Sequence, residues 1–192
     1  MKKLGGGYLN EIDLRDAGFR GLGKNVQVHS HAHIYGLENV ILGDNVRIDD
    51  FSLLVATGLI TIGRNVSIHS HCFIGSKYGV LIGDFVTLAP GVKLFSSSDD
   101  YSGEYLTGPT VPKELTGGFA GEIVIGRHSI IGAGSVVLPN VVIGEGVSVG
   151  ALSLVKSELD EWSIYAGCPV RRLGPRSKAL LNHAEKYREY DI

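Results

Sequence analysis

The sequence predicts an all-β fold, a parallel β-helix, because one short repeat recurs in two registers. Residues 125–154 divide into five hexads, each opened by an aliphatic residue: Ile125, Ile131, Val137, Ile143 and Val149. Upstream, the same motif returns every 20 residues, with leaders at Leu22, Leu42, Ile62 and Ile82. A six-residue repeat matches neither the helical period nor a long alternating strand. It fits short strands that are joined by corner turns and stacked coil upon coil.

The repeat also predicts which positions face the core. The first and fifth residues of a hexad should point inward, and the fifth ones are small or aliphatic: Ser129, Ser135, Val141, Val147 and Ser153. The chain contains 27 glycines, which suit tight corners. Four asparagines occupy corners where positive φ is expected: Asn25, Asn45, Asn65 and Asn140.

Three segments are expected along the chain. Residues 1–21 read as an N-terminal helical segment on the spacing of Leu9, Ile12 and Leu14, residues 22–173 as the β-helix, and residues 174–192 as a C-terminal helix. Within the β-helix the hexads stop after Leu94 and resume in register at Ile123. We therefore expect residues 95–122 to form a long extruded loop with a functional role.

The composition argues against several classes of partner. Lysine and arginine total 18 against 20 acidic residues, a net charge of -2, which does not favour a nucleic-acid partner. Two cysteines are too few for a disulfide framework. No stretch is long and apolar enough for membrane insertion, so we expect a cytoplasmic protein.

The hexads, the break after the fourth long coil and the closing "YAGCPVRRL" resemble the hexapeptide-repeat acyltransferases, from about Leu22 to Leu173. This resemblance implies a left-handed parallel β-helix, a homotrimer with each active site between two subunits, and acyl-coenzyme A as co-substrate. The stretches "NVRIDDFSLL", "SSDDYSGEYLTGPTVP" and "VGALSLVKSELDEWSIYAG" are most similar to N-acyltransferases of nucleotide-linked amino sugars, of the anthrose-pathway type. The implied substrate is a dTDP-linked amino-deoxy sugar, and the implied role is polysaccharide biosynthesis.

The extruded loop carries the predicted catalytic residues. It contains no histidine, the usual general base for a sugar hydroxyl, whereas an amine needs only orientation and a proton acceptor. We expect Asp100 to fill that role with Asp99 beside it, one facing the amine and the other tying down the loop. The residues expected to bind the sugar nucleotide are Asp49, Asp50, His69, His71, Tyr101 and Glu104.

The later coils carry the predicted site for coenzyme A. Small residues at their corners admit the slender pantetheine arm, among them Gly132, Ala133 and Ala151, and Ser135 is also assigned to the cofactor site. The resemblance places the nucleotide end of the cofactor beside Ala166 and Gly167. There Arg171 and Arg172 could pair with its phosphates.

The histidines leave alternatives open. His29, Asp49 and His69 fall at equivalent positions of successive coils and should form an external stripe, which suits a subunit interface. One such histidine reaching into a neighbouring site would make the protein a sugar O-acetyltransferase. A trimer like γ-carbonic anhydrase, or a purely structural β-helix, is a third possibility. The zinc-ligand spacing of that anhydrase is not matched, so we expect no metal.

Overall fold

The computed structural model describes residues 5–187, and its core is a parallel β-helix of about seven coils. The strands stack into three parallel sheets, which we name A, B and C in the order in which each coil visits them. Sheet A contains β1 (Gly21–Leu22), β4 (Val40–Leu42), β7 (Ile60–Ile62), β10 (Val80–Ile82), β15 (Ile123–Ile125) and β18 (Val142–Ile143). Sheet B contains β2 (Gln27–Val28), β5 (Arg47–Ile48), β8 (Ser67–Ile68), β11 (Thr87–Leu88), β16 (Ile130–Ile131), β19 (Ser148–Val149), β21 (Ser163–Ala166) and β22 (Arg171–Pro175). Sheet C contains β3 (His33–Tyr35), β6 (Leu53–Ala56), β9 (Phe73–Ser76), β12 (Lys93–Phe95), β17 (Val136–Val137) and β20 (Leu154–Val155).

The core follows the predicted repeat. Leaders such as Ile48, Ile68 and Leu88 are fully buried and lie one above another in sheet B. The buried serines at fifth positions are also satisfied, since the Ser129 hydroxyl donates to the Gly144 carbonyl at 3.0 Å. Burial of Ser129 and Ser135 therefore costs little, because each hydroxyl donates to a carbonyl one coil away. The predicted all-β parallel β-helix is confirmed.

The corners adopt the predicted backbone conformation. Asn25, Asn45, Asn65 and Asn140 have φ values of 55°, 56°, 57° and 60°. Asparagine tolerates this left-handed region better than most residues. The Asn25 side-chain amide also donates to Asn45 Oδ1 at 3.2 Å, so the corners are tied together along the axis.

The extruded loop leaves the coil without disturbing it. It departs after β12 and returns through a short antiparallel pair, β13 (Ser97–Asp99) with β14 (Gly118–Ala120), closed by a hydrogen bond from Gly121 N to Ser96 O at 3.0 Å. A 3-10 turn spans Lys113–Leu115 within it. Because β15 then pairs in register with β10, the fifth coil resumes where the hexads predict.

Two short helices flank the coil. The first, α1 (Glu11–Asp16), is capped by Asn10, whose side chain accepts from Asp13 N at 2.8 Å, and it buries Leu14. The second, α2 (Leu180–Tyr187), lies against the corner between sheets A and B, where the Tyr187 hydroxyl donates to Asn65 Oδ1 at 3.0 Å. The terminal segments expected from the sequence extend into residues 1–4 and 188–192, which lie outside the described residues. Over residues 5–187 no helix has the length and apolarity needed to cross a membrane.

Candidate active site

The turns that join sheet B to sheet C form one continuous edge, which we call the B–C corner. Its first residue in successive coils changes character along the axis, from polar in the early coils to small in the later ones: His29, Asp49, His69, Ala89, Gly132, Gly150 and Ala166. The early coils therefore offer polar groups at this edge, and the later coils offer an open groove.

Asp49 is the centre of the polar part. Its carboxylate accepts two hydrogen bonds from Arg47, at 2.8 and 2.7 Å, and one from the Tyr8 hydroxyl at 2.7 Å. His69 Nδ1 lies 3.2 Å from Asp49 Oδ2. Burial by itself raises the pKa of Asp49, but the hydrogen bonds from Arg47 and Tyr8 bring it below its ordinary value. The Asp49 side chain is thus charged at neutral pH. The neighbouring Asp50 contacts the next coil through its backbone carbonyl, which accepts a hydrogen bond from His71 N at 3.2 Å.

The third residues of the early turns form an aromatic column. The Phe51 ring lies 5.5 Å from the His31 ring and 5.2 Å from the His71 ring, and the latter pair is stacked with an interplanar angle of 13°. In the next two coils the equivalent residues are Gly91 and Gly134, so the column ends at His71.

The later coils pack so closely that the groove needs small residues. A Cβ added to Gly132 would lie 2.4 Å from Ala151 N, and one added to Gly150 would lie 2.9 Å from the Ala166 side chain. Ala133 and Ala151 face outward from this edge. Ser135 differs from the other predicted groove residues, because its side chain is fully buried and its hydroxyl donates to the Gly150 carbonyl at 3.0 Å. It therefore supports the groove from inside the core.

The predicted cationic end lies at the last coil. Strand β22 returns antiparallel to β21, with Arg171 opposite Ala166 and Arg172 opposite Tyr165. Both arginines are exposed, although Arg172 Nε donates to Ser163 Oγ at 3.1 Å. Arg171 is thus the better placed of the two to meet an anion at the end of the groove.

The extruded loop lines a separate, open pocket of about 570 Å³. Asp99 contributes to its wall from the end of β13, together with Lys77, Tyr78, Lys113 and Phe119. The two lysines had not been predicted. The repeat could have located Lys77, because it lies 20 residues, or one coil, before Ser97 at the base of the loop. In the structure its backbone amide donates to the Ser96 hydroxyl at 2.7 Å. The pocket combines an exposed carboxylate with two cations.

Asp100 has a different environment from Asp99. Its carboxylate accepts hydrogen bonds from the Ser102 hydroxyl at 2.7 Å and from the backbone amides of Ser102, Gly103, Glu104 and Tyr105 at 2.9 to 3.2 Å. The Ser102 hydroxyl and these amides lower the pKa of Asp100 to about 2. A carboxylate so engaged holds the loop together and is a poor proton acceptor, so the expectation that Asp100 faces the amine is not supported by its surroundings.

The predicted site residues occupy opposite edges of sheet C. The B–C corner gathers Asp49, Asp50, His69, His71, Gly132, Ala133, Ala151, Ala166, Gly167, Arg171 and Arg172. The opposite edge carries Asp99, Asp100, Tyr101 and Glu104, with Tyr101 88% exposed. Strand β9, which runs from the B–C corner toward the loop, has four residues, a span of about 13 Å. In one chain, none of these described B–C corner residues lines the pocket of the loop.

This coil, with its loop and groove, defines a hexapeptide-repeat acyltransferase, and comparison with known proteins agrees. Residues 122–157 match the family model described as bacterial transferase hexapeptide (six repeats). The chain is 41% identical over 175 residues, 91% of each protein, to dTDP-4-amino-4,6-dideoxy-D-glucose acyltransferase of Escherichia coli. It is 29% identical over 172 residues to the putative lipopolysaccharide biosynthesis O-acetyl transferase WbbJ of Escherichia coli, covering 88% of this chain and 68% of that relative.

A solved structure gives the same result. The fold matches that of AntD, an N-acyltransferase from Bacillus cereus in complex with dTDP and 3-hydroxybutyryl-CoA, with a TM-score of 0.92, 37% identity, and coverage of 96% of this chain and 97% of that one. The chain belongs to the hexapeptide-repeat acyltransferases and is closely related to N-acyltransferases of nucleotide-linked amino sugars. The resemblance inferred from the sequence is therefore confirmed. Within residues 5–187 no group of three or more His, Cys, Asp or Glu side chains is arranged to hold a metal ion.

Proposed function

We propose that this enzyme transfers an acyl group from acyl-coenzyme A to the amino group of a dTDP-linked amino-deoxy sugar. The observation that carries the proposal is the pocket of the histidine-free loop, which presents the exposed carboxylate of Asp99 beside two lysines. The relative named dTDP-4-amino-4,6-dideoxy-D-glucose acyltransferase supports the choice of acceptor. Coenzyme A thioesters and nucleotide sugars are cytoplasmic metabolites, so we place the reaction in the cytoplasm, in the assembly of a surface polysaccharide.

A homotrimer would bring the two edges of sheet C together. The outward face of this sheet is largely apolar: Leu53, Val55, Phe73, Phe95, Val136, Leu138 and Leu154. Such a face favours burial against other subunits. If it surrounds a three-fold axis, the loop edge of one subunit adjoins the B–C corner of the next, because a cyclic interface pairs non-equivalent edges. The loop of one subunit then closes the groove of its neighbour.

The order of residues along the groove suits the donor. Arg171 at the last coil would pair with coenzyme A phosphates, and pantetheine would run along the small corner residues toward Ala89. Three coil steps separate Ala166 from Ala89, about 14 Å at the usual strand spacing. The thioester would thus lie level with the fourth coil, from which the extruded loop emerges.

Asp99 and the pocket lysines would then act on the acceptor. The diphosphate would lie near Lys77 and Lys113, and Asp99 would hold the sugar amine. The amine nitrogen attacks the thioester carbonyl, the new C–N bond forms, and Asp99 takes a proton from nitrogen. When the C–S bond breaks, the departing coenzyme A sulfur recovers that proton. Release of free thiol should therefore require the amino sugar and fail with the 4-hydroxy sugar nucleotide, as measured with a thiol reagent.

The proposed binding of coenzyme A phosphates at the last coil can be tested with arginine variants. Changing Arg171 and Arg172 together to alanine should raise KM for acyl-coenzyme A by about tenfold or more, because a hydrogen bond to a charged group contributes about 1.5 to 3 kcal/mol. An acyl-pantetheine that lacks the nucleotide should lose much less. Steady-state kinetics with both donors checks this. Equal losses would show that the arginines serve the fold, and Arg172→Ala alone controls for its bond to Ser163.

O-acylation is the second candidate, and the contact between Asp49 and His69 favours it. With Nδ1 donating to Asp49, His69 could offer Nε2 as a base to a hydroxyl. Against this, Arg47 and Tyr8 already compensate the charge of Asp49. If His69→Ala abolishes turnover while Asp99→Asn does not, the O-acyl route becomes the better account.

A further inference from the structure

The aromatic column of the B–C corner ends where the acyl end of the donor would begin. His31, Phe51 and His71 occupy the third turn position in the first three coils, and Gly91 and Gly134 occupy it in the fourth and fifth. A Cβ added to Gly91 would have only the Gly134 backbone nearby, at 3.7 Å. The corner therefore has an open notch above the exposed face of the His71 ring.

The residues below the notch have left-handed backbone conformations, like many other corner residues of this coil. Phe51 and His71 have φ values of 56° and 61°, a region that glycine and asparagine occupy at lower cost. Equivalent turns at the corner between sheets A and B use Asn25, Asn45 and Asn65 in the same three coils. In later coils the corner between sheets A and B also holds rings at positive φ, Phe85 and His128. Backbone strain is therefore not specific to the B–C corner, and the open space above the His71 ring is the observation that points to a ligand.

We propose that the acyl chain of the donor lies in this notch and ends against the His71 ring, so that His71, supported by Phe51, limits the length of the chain. The proposal rests on the proposed function, because it assumes the donor groove. An extended thioester at the fourth coil continues the direction of pantetheine and points toward the third coil. One coil step, about 4.8 Å, separates Gly91 from His71. Acetyl and other short acyl groups fit in that space, and an octanoyl chain meets the ring.

Glycine substitutions test the limit without adding backbone strain, since glycine already serves this position in the next two coils. His71→Gly should raise the ratio of kcat/KM for octanoyl-CoA to that for acetyl-CoA by about tenfold or more, since a few methylenes in an apolar site give discrimination of this size. His71→Gly combined with Phe51→Gly should raise the ratio further by deepening the notch. Asn45→Gly, at a positive-φ corner away from the groove, is the matched control and should leave the ratio unchanged.

The possible outcomes separate this inference from the function on which it rests. A wild-type enzyme that acylates the amino sugar, with an unchanged chain-length ratio in both glycine variants, overturns the limit set by His71 and leaves the function intact. Loss of all donors in a folded His71→Gly trimer also overturns it, by assigning His71 to catalysis. A wild-type enzyme inactive with every donor defeats both proposals. If the octanoyl-CoA to acetyl-CoA ratio rises in the His71 and Phe51 glycine variants and stays unchanged in Asn45→Gly, the result supports the limit that His71 sets on chain length.

Discussion

Asp99→Asn is expected to lower kcat on the amino sugar by about 10² to 10⁴, the usual loss when a general base is removed. Asparagine keeps the shape of the side chain and one acceptor oxygen, while the other oxygen becomes an NH₂ donor, so the change removes the charge and the capacity to accept a proton. KM for acyl-coenzyme A should change little, because the proposed donor groove lies on the other edge of sheet C. Raising the pH should recover part of the loss, since more of the amine is then already free.

Asp100→Asn is the matched control in the adjacent position. Its carboxylate is occupied by the Ser102 hydroxyl and four backbone amides, so we expect a looser loop and a higher KM for the sugar nucleotide, with a smaller effect on kcat. The pKa of Asp100, lowered to about 2, means that its stabilisation of the loop is present above about pH 4 and lost as the pH falls toward 2. Turnover between pH 5 and 9 should not reflect this group. If Asp100→Asn is the more damaging change to kcat, the roles of the two aspartates are reversed.

Mixing two inactive variants should restore activity. Asp99→Asn disables the loop, and Ala151→Trp blocks the groove at an exposed corner position. If each site takes its loop from one subunit and its groove from the next, random mixing in equal amounts makes about one site in four fully wild type. Co-refolded or co-expressed mixtures should thus show about a quarter of wild-type turnover, while each variant alone shows almost none.

The mixing experiment has a clear opposite outcome. If both halves of the site belonged to one chain, every chain in the mixture would carry a defect and no activity would return. Mixing Asp99→Asn with Asp100→Asn, both in the loop, provides a control that should give no complementation beyond the average of the two. Light scattering on the same samples should show a trimer in every case.

The sequence was sufficient to predict the coil because one short pattern governs every layer of it. Inward leaders such as Ile68 and corner asparagines such as Asn45 repeat at fixed spacing, so the core and the turns follow from counting. The register across the extruded loop followed for the same reason, since β15 must stack on β10. Local physics and the global fold agree at these positions.

The site was harder to predict where it departs from the repeat. Ser135 was expected in the groove, but a fifth position points inward, and its hydroxyl is needed by the Gly150 carbonyl. Asp99 and Asp100 are adjacent, and only the fold of the loop reveals that the amides of residues 102–105 converge on Asp100. The pocket lysines come from separate turns, Lys77 at the coil and Lys113 in the loop, which no spacing rule connects.

The most direct test of the central claim is the chemical nature of the product. Purified enzyme should be incubated with dTDP-4-amino-4,6-dideoxyglucose and acetyl-CoA, and the acylated sugar nucleotide analysed by mass spectrometry before and after mild base. We predict one added acyl group that survives the base, because an amide at nitrogen resists conditions that cleave an ester. An acyl group that is lost in mild base, or the absence of any acylated sugar, would contradict the account.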